Sequence, residues 1–225
     1  MSVNVNEKYV CSNKKNMSIF IWGSVMKTYT IKTLDRKDFS DVPKAVIDQQ
    51  PWGGSYAPDC FAKMIYVRNE GFYTRLYAKE RAPRSTYQNF GDPVCKDSCL
   101  EIFVNFDPAA GELYISCEAN SLGTVECSVG TSRYDRIAID EKTGTVPTID
   151  TGRDGEYWWV ENFLSLDLLC KVFGGINTES GAEYRGNYYK CGDCTEVEHY
   201  LTWAPIDLPE PDFHCPGFFG KLVMG

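Results

Sequence analysis

An antiparallel β-sandwich carrying one short helix is the fold class this sequence predicts, and three observations predict it. Apolar and polar residues alternate with period two over several stretches, which puts one side of a strand on a core and the other on something else. Short connections bearing Pro and Gly separate those stretches. Only one stretch has helical spacing. Many short strands with a lone helix point to two packed sheets.

The elements follow in chain order. Strands are expected at 27–33 and 61–67. In GFYTRLYAK (71–79), Phe72, Thr74, Leu76 and Ala78 alternate with Tyr73, Arg75, Tyr77 and Lys79. In SCLEIFVNF (98–106), Leu100, Ile102, Val104 and Phe106 point one way; Cys99, Glu101, Phe103 and Asn105 point the other. The DPAAG connection (107–111) turns the chain into ELYISCEAN (112–120) as a hairpin. There Leu113, Ile115, Cys117 and Ala119 oppose Tyr114, Ser116, Glu118 and Asn120. More strands are expected at 123–129, 134–139 and 156–161. SLDLLCKVFG (165–174) is the helix: Leu166, Leu169, Cys170 and Phe173 share a face, and Gly174-Gly175 stops it. Strands at 185–190, 197–203 and 218–223 complete the chain. With no internal repeat and no linker, residues 26–225 read as one domain.

Composition narrows the function. The 225 residues carry a formal net charge of -8 without a basic run. That balance argues against nucleic acid and an anionic membrane surface as partners, since both need a basic patch. Aromatic residues are 14% of the chain, which suits a β core and also supplies rings for stacking on a ligand. No stretch reaches the roughly 18 apolar residues that cross a bilayer. Lys14 and Lys15 precede the apolar run MSIFIWGSV (17–25), which is short and broken by Ser18, Gly23 and Ser24. We read residues 1–25 as a poorly ordered extension with Met26 as the natural start; acting as an export signal, they would place the protein outside the cell. Ten cysteines without a clear signal suggest free thiols in the cytoplasm. The oligomeric state is left open.

Near the end, Cys191-x-x-Cys194, His199 and His214-Cys215 can be written as a zinc pattern. Adjacent His214 and Cys215 point opposite ways in an extended segment, so the second half is poor, and no metal site is expected. A Cys/His nucleophile would need a base and an oxyanion donor that the sequence does not reveal. Packing at strand ends is the remaining reading.

The same stretch carries a family resemblance. WGGSYAP (52–58), DPVCKDSCLEIFV (92–104), LYISCEANSLGTV (113–125), GNYYKCGD (186–193), HYLTWAPI (199–206) and PDFHCPGFFGKL (211–222) together span about 170 residues. They resemble carbohydrate-binding family 9, in an uncharacterised bacterial branch with recurrent YKCGD and PDFH-x-P-x-FFG segments. The resemblance implies a jelly-roll β-sandwich, often appended to xylanases, with structural calcium in some members and no other cofactor. Founding members bind glucose, cellobiose and xylo-oligosaccharides at chain ends.

The resemblance also implies site residues. Glu101 falls at the glutamate that contacts sugar hydroxyls. Glu118 falls where founding members carry arginine, with Asn120 on the same face. Lys190 falls at a polar binding position, with Asn187 and Asp193 nearby. Phe213 falls at one tryptophan of an aromatic clamp; Val94-Cys95 stands where the other is expected. Trp52 and Tyr56, or Trp203, are rings that could replace it, although Trp52 and Trp203 also fit core positions. The expected function is non-catalytic binding of a small sugar or oligosaccharide end. The alternatives are glycoside hydrolysis by the Glu101 and Glu118 carboxylates on neighbouring strands, and an interaction protein that has lost the sugar site.

Overall fold

A computed structural model describes residues 26–225; the expected N-terminal extension lies outside the described residues. The strands are β1 (Thr28–Leu34), β2 (Ala45–Val46), β3 (Cys60–Val67), β4 (Gly71–Ala78), β5 (Cys99–Asn105), β6 (Tyr114–Asn120), β7 (Val125–Gly130) and β8 (Ile137–Ala138). Helix α1 (Ile139–Thr143), strands β9 (Thr148–Asp154) and β10 (Tyr157–Ser165) and helix α2 (Leu166–Phe173) come next. The chain ends in β11 (Glu183–Gly192), β12 (His199–Thr202) and β13 (Gly220–Met224).

Hydrogen bonding runs in the order β8-β7-β6-β5-β11-β13-β1-β3-β4-β10-β9, with β12 on β11 and β2 on β3. β1 is the hinge of this path. Its first half, Thr28 to Ile31, pairs with β13, and its second half, Lys32 to Leu34, pairs with β3. One strand therefore serves two sheets, a corner that curls the path into a sandwich. Both β1 pairings are parallel, so the otherwise antiparallel sheet is mixed. Period-two alternation looks the same in either direction, which is why the sequence does not reveal it.

The inward faces are those the alternation predicts. Leu100, Ile102, Val104 and Phe106 join Ile115, Cys117 and Ala119 from one sheet, against Met64, Phe72, Leu76, Trp158 and Val160 from the other. Burying such side chains is worth about 1.5–3 kcal/mol each. Trp203 belongs to this core at 4% exposure, with its ring 5.5 Å from Tyr188. A Cβ on Gly220 would meet the Trp203 ring at 2.5 Å, so the strand carrying Gly220 can approach the indole only without a side chain there.

The helix forms where expected but with a rotated face. Ser165 caps it by accepting the Leu168 backbone N–H at 3.1 Å, worth about 1 kcal/mol. Gly174 ends it at φ 77°. Leu168, Leu169 and Val172 are buried, whereas Cys170 is exposed. Strand β9 and the five-residue α1 were not expected. β9 has no buried residue for a period to register, and it exists by pairing with β10.

Candidate sugar-binding cleft

The outer face of β5, β6, β7 and β11 carries the site. Register aligns Glu101 opposite Glu118 and Glu118 opposite Glu126, with Tyr189 of β11 on the other flank of Glu101. Three carboxylates thus stand in one row, neighbours about 5 Å apart at the backbone. Glu101 and Glu118 are only 1% and 6% exposed. Like charges this close and this dry need relief.

Relief comes unevenly. Arg136 Nη1 lies 3.2 Å from Glu118 Oε1 and 3.5 Å from Glu126 Oε2. His214 Nε2 lies 3.7 Å from Glu118 Oε1. Glu101 is met by no cationic side chain within salt-bridge reach among the described residues; the Cys191 thiol donates to its Oε1 at 2.9 Å. Burial first, with Asp193 adding to it, pushes the Glu101 carboxyl up to about 7. Burial and then the charges of Glu101 and Glu126 push Glu118 well above the carboxylate range. Burial and the two arginines, Arg136 and Arg133, press His214 down to about 3 and so keep it neutral. Its Nδ1 shares a hydrogen bond with the Tyr114 hydroxyl at 3.0 Å.

The aromatic wall stands beside this row. Phe213 lies flat on Tyr189, centroids 4.2 Å apart and planes 7° apart. Trp52 leans on Phe213 at 5.8 Å, and Tyr200 meets it edge-on at 6.1 Å. Arg133 ties Asp212 at 3.1 Å and so links the β7–β8 loop to the segment bearing Phe213 and His214. Between these walls lies a cavity of about 270 Å³, bordered also by Cys95, Cys191 and Asp193. That is the small end of the range for small-molecule pockets.

Of the expected site residues, Glu101, Glu118 and Phe213 line one cleft. Trp52 stands behind Phe213, with its indole N–H donated to the Leu208 carbonyl at 2.9 Å. The other three are corrected. Asn120 shares the outer face but is 0% exposed, and its amide is spent on the Tyr87 carbonyl, Asp97 and the backbone N–H groups of Leu122 and Thr124. Lys190 pairs with Leu100 and so faces inward at 0% exposure. Its ammonium donates to the Cys191 carbonyl at 2.8 Å and to His199 Nε2 at 2.7 Å, and lies 3.4 Å from Glu80. Trp203 is core. Asn120 and Lys190 have their polar groups committed within the fold, and Trp203 has its ring packed in the core.

Arg133, Arg136 and Cys191 were missed as cleft residues. Cys191 was legible, since it follows Lys190 and so lies on the opposite face of its strand. The arginines sit in a short irregular connection where no period marks direction.

The zinc pattern does not assemble. His199 is committed to Lys190 and to the Val197 carbonyl, Cys194 is exposed, and His214 lies on the other side of the strand from His199's network. Every cysteine among the described residues is a free thiol. For the calcium implied by the resemblance, no three Asp or Glu carboxylates come within mutual reach among the described residues. Among the described residues, the one group of three Asp, Glu, His or Cys donors in mutual reach is Cys99, Glu101 and Cys191. Two sulfurs do not suit a hard cation.

Comparison with known proteins agrees with this fold. The family model described as carbohydrate-binding family 9 matches residues 32–224. A crystal structure from Bacteroides uniformis, of a candidate carbohydrate-binding protein, is similar over 89% of this chain and 100% of its own, with TM-score 0.77 and 21% identity. Carbohydrate-binding module family 9 structures from Caldicellulosiruptor kristjanssonii are similar with TM-score 0.62. The glucose complex is 9% identical and covers 88% of this chain and 96% of its own. The cellotriose complex is 10% identical and covers 88% and 93%. At these identities the structures establish a shared fold. No curated protein matches the chain.

Proposed function

The chain belongs to carbohydrate-binding family 9, and from that premise we propose that it is a non-catalytic module binding a sugar or the end of a gluco- or xylo-oligosaccharide in the Glu101 cleft. One observation carries this reading: Glu101, Glu118 and Phe213, the positions matched to the family's sugar contacts, converge on a single small cavity. The neighbouring family structures hold glucose and cellotriose. The cleft's chemistry suits such a ligand. Sugar rings have apolar C–H faces for the Phe213 ring, which Trp52 backs, and hydroxyls for the carboxyls. A carboxyl with its pKa near 7 can donate to or accept from a hydroxyl.

The same geometry favours binding over hydrolysis. A glycosidase needs one protonated and one ionised carboxyl on either side of the bond. Here Glu101 and Glu118 stand side by side in one row, both pushed towards the neutral form, and Glu118 is held by Arg136.

Tryptophan fluorescence titrated with glucose, cellobiose and xylobiose tests the reading. A saturable response is expected, lost in Phe213→Ala, which also destabilises the fold by about 3 kcal/mol. Aryl xylosides and glucosides are expected to remain uncleaved; turnover that Glu101→Gln abolishes while binding persists would favour the hydrolase.

A further inference from the structure

We propose that the floor of the cleft binds one thiophilic divalent cation, of the zinc or cadmium class, through Cys99, Cys191 and Glu101. Strand register builds the site. Cys99 and Cys191 face each other across β5 and β11, and Glu101 lies two residues along β5 from Cys99. All three side chains therefore emerge on the same outer face. Their donor atoms lie within 4.8 Å of one another. Such a triangle can close on an ion with bonds of about 2.3 Å to sulfur and about 2.0–2.2 Å to oxygen. All three residues are at most 1% exposed, so central strands hold their backbones in place.

The donor set selects the ion. Two thiolates and one carboxylate suit a borderline-soft cation, not calcium or magnesium. On binding, both thiol protons, and the Glu101 carboxyl proton where it is held, pass to solvent; two sulfur–metal bonds and one oxygen–metal bond form, and nothing is oxidised or reduced. Glu101 and Cys191 border the cavity, so the fourth coordination position opens into the cleft. A contrasting pair sharpens the point. Cys117 and Cys127 also face each other across neighbouring strands, but they point into the apolar core, where no oxygen donor joins them.

The metal site stands independently of the sugar reading, although the two share Glu101. Where both hold, an ion on Glu101 removes a hydroxyl contact, and metal and sugar compete.

The test is a titration of the reduced, metal-free full chain with Cd²⁺, reading the ultraviolet thiolate-to-cadmium absorption. A saturable band at one ion per chain is expected. Cys99→Ser and Cys191→Ser should each lose it, and Cys194→Ser, an exposed thiol, should leave it unchanged. Glu101→Gln should keep the band with affinity lowered at least about tenfold. Circular dichroism reports whether each variant folds; should the serine variants fail to fold, Glu101→Gln, nearly isosteric, still decides. No band in the wild type, a band surviving loss of both cysteines, or an unchanged affinity in Glu101→Gln overturns the proposal. Cellobiose titrated with and without Cd²⁺ separates the two claims: a chain that binds no sugar still gives the cadmium band.

Discussion

The two faces of β5 and β11 treat buried charge in opposite ways. On the inner face, the Lys190 ammonium has three partners, and Glu80 takes the Trp158 indole N–H at 3.0 Å and the Ser98 hydroxyl at 3.3 Å besides. On the outer face, one residue away along the same strands, Glu101 has a thiol and, among the described residues, no cation within salt-bridge reach, and faces a cavity. A buried polar group with every bond made is structure. One left with spare capacity is where a ligand gains most, because its desolvation cost has already been met in folding. The family pattern treats Lys190 and Glu101 alike, and their surroundings divide them.

The largest effect that can break this contrast is at Lys190. Lys190→Met strips Glu80 of its buried counter-charge, which costs about 3–5 kcal/mol. Urea denaturation checks it, and a loss below about 1 kcal/mol would make Lys190 something other than a structural pair.

Glu101 should show the opposite sign, through pH. Its folded carboxyl titrates near 7, above the ordinary 4.5. A carboxyl raised on folding contributes stability that is full below about pH 4.5 and is lost as pH rises through 7. The loss is on the order of 3 kcal/mol. Glu101→Gln removes this dependence, so the wild-type and variant stability curves should diverge between pH 4.5 and 7; parallel curves would place an unseen cation at Glu101.

Trp203→Phe should cost about 2 kcal/mol by opening a cavity in the core. Sugar affinity should stay within about twofold, and a larger fall would return Trp203 to the ligand surface. Smallest of all, Cys194→Ser, on an exposed turn, should change stability by less than about 0.5 kcal/mol in thermal denaturation.

Much of this was legible in the sequence. Alternation in SCLEIFVNF and ELYISCEAN assigned Glu101 and Glu118 to the outer face correctly, because period two leaves no freedom once one residue is known to face in. The same rule, applied to GNYYKCGD, separates Lys190 from Tyr189 and Cys191; the family pattern pointed at Lys190 against it. Asn120 was placed on the correct face, but nothing local says that the segment around Tyr87 covers it. Arg136 and Arg133 come from a loop, and loops carry no period. Strand direction at β1 is set by the neighbour it finds across the chain, which short-range patterns do not encode.

We propose that spare hydrogen-bonding capacity on the Glu101 face holds the sugar. Calorimetric titration of cellobiose into the wild type and into Glu101→Gln tests it most directly. Saturable binding by the wild type is expected, with an affinity roughly ten- to a hundredfold weaker in the variant, the worth of a hydrogen bond to a charged or strongly polar group. Equal affinity in both proteins, or no heat from the wild type at tens of millimolar sugar, would contradict it.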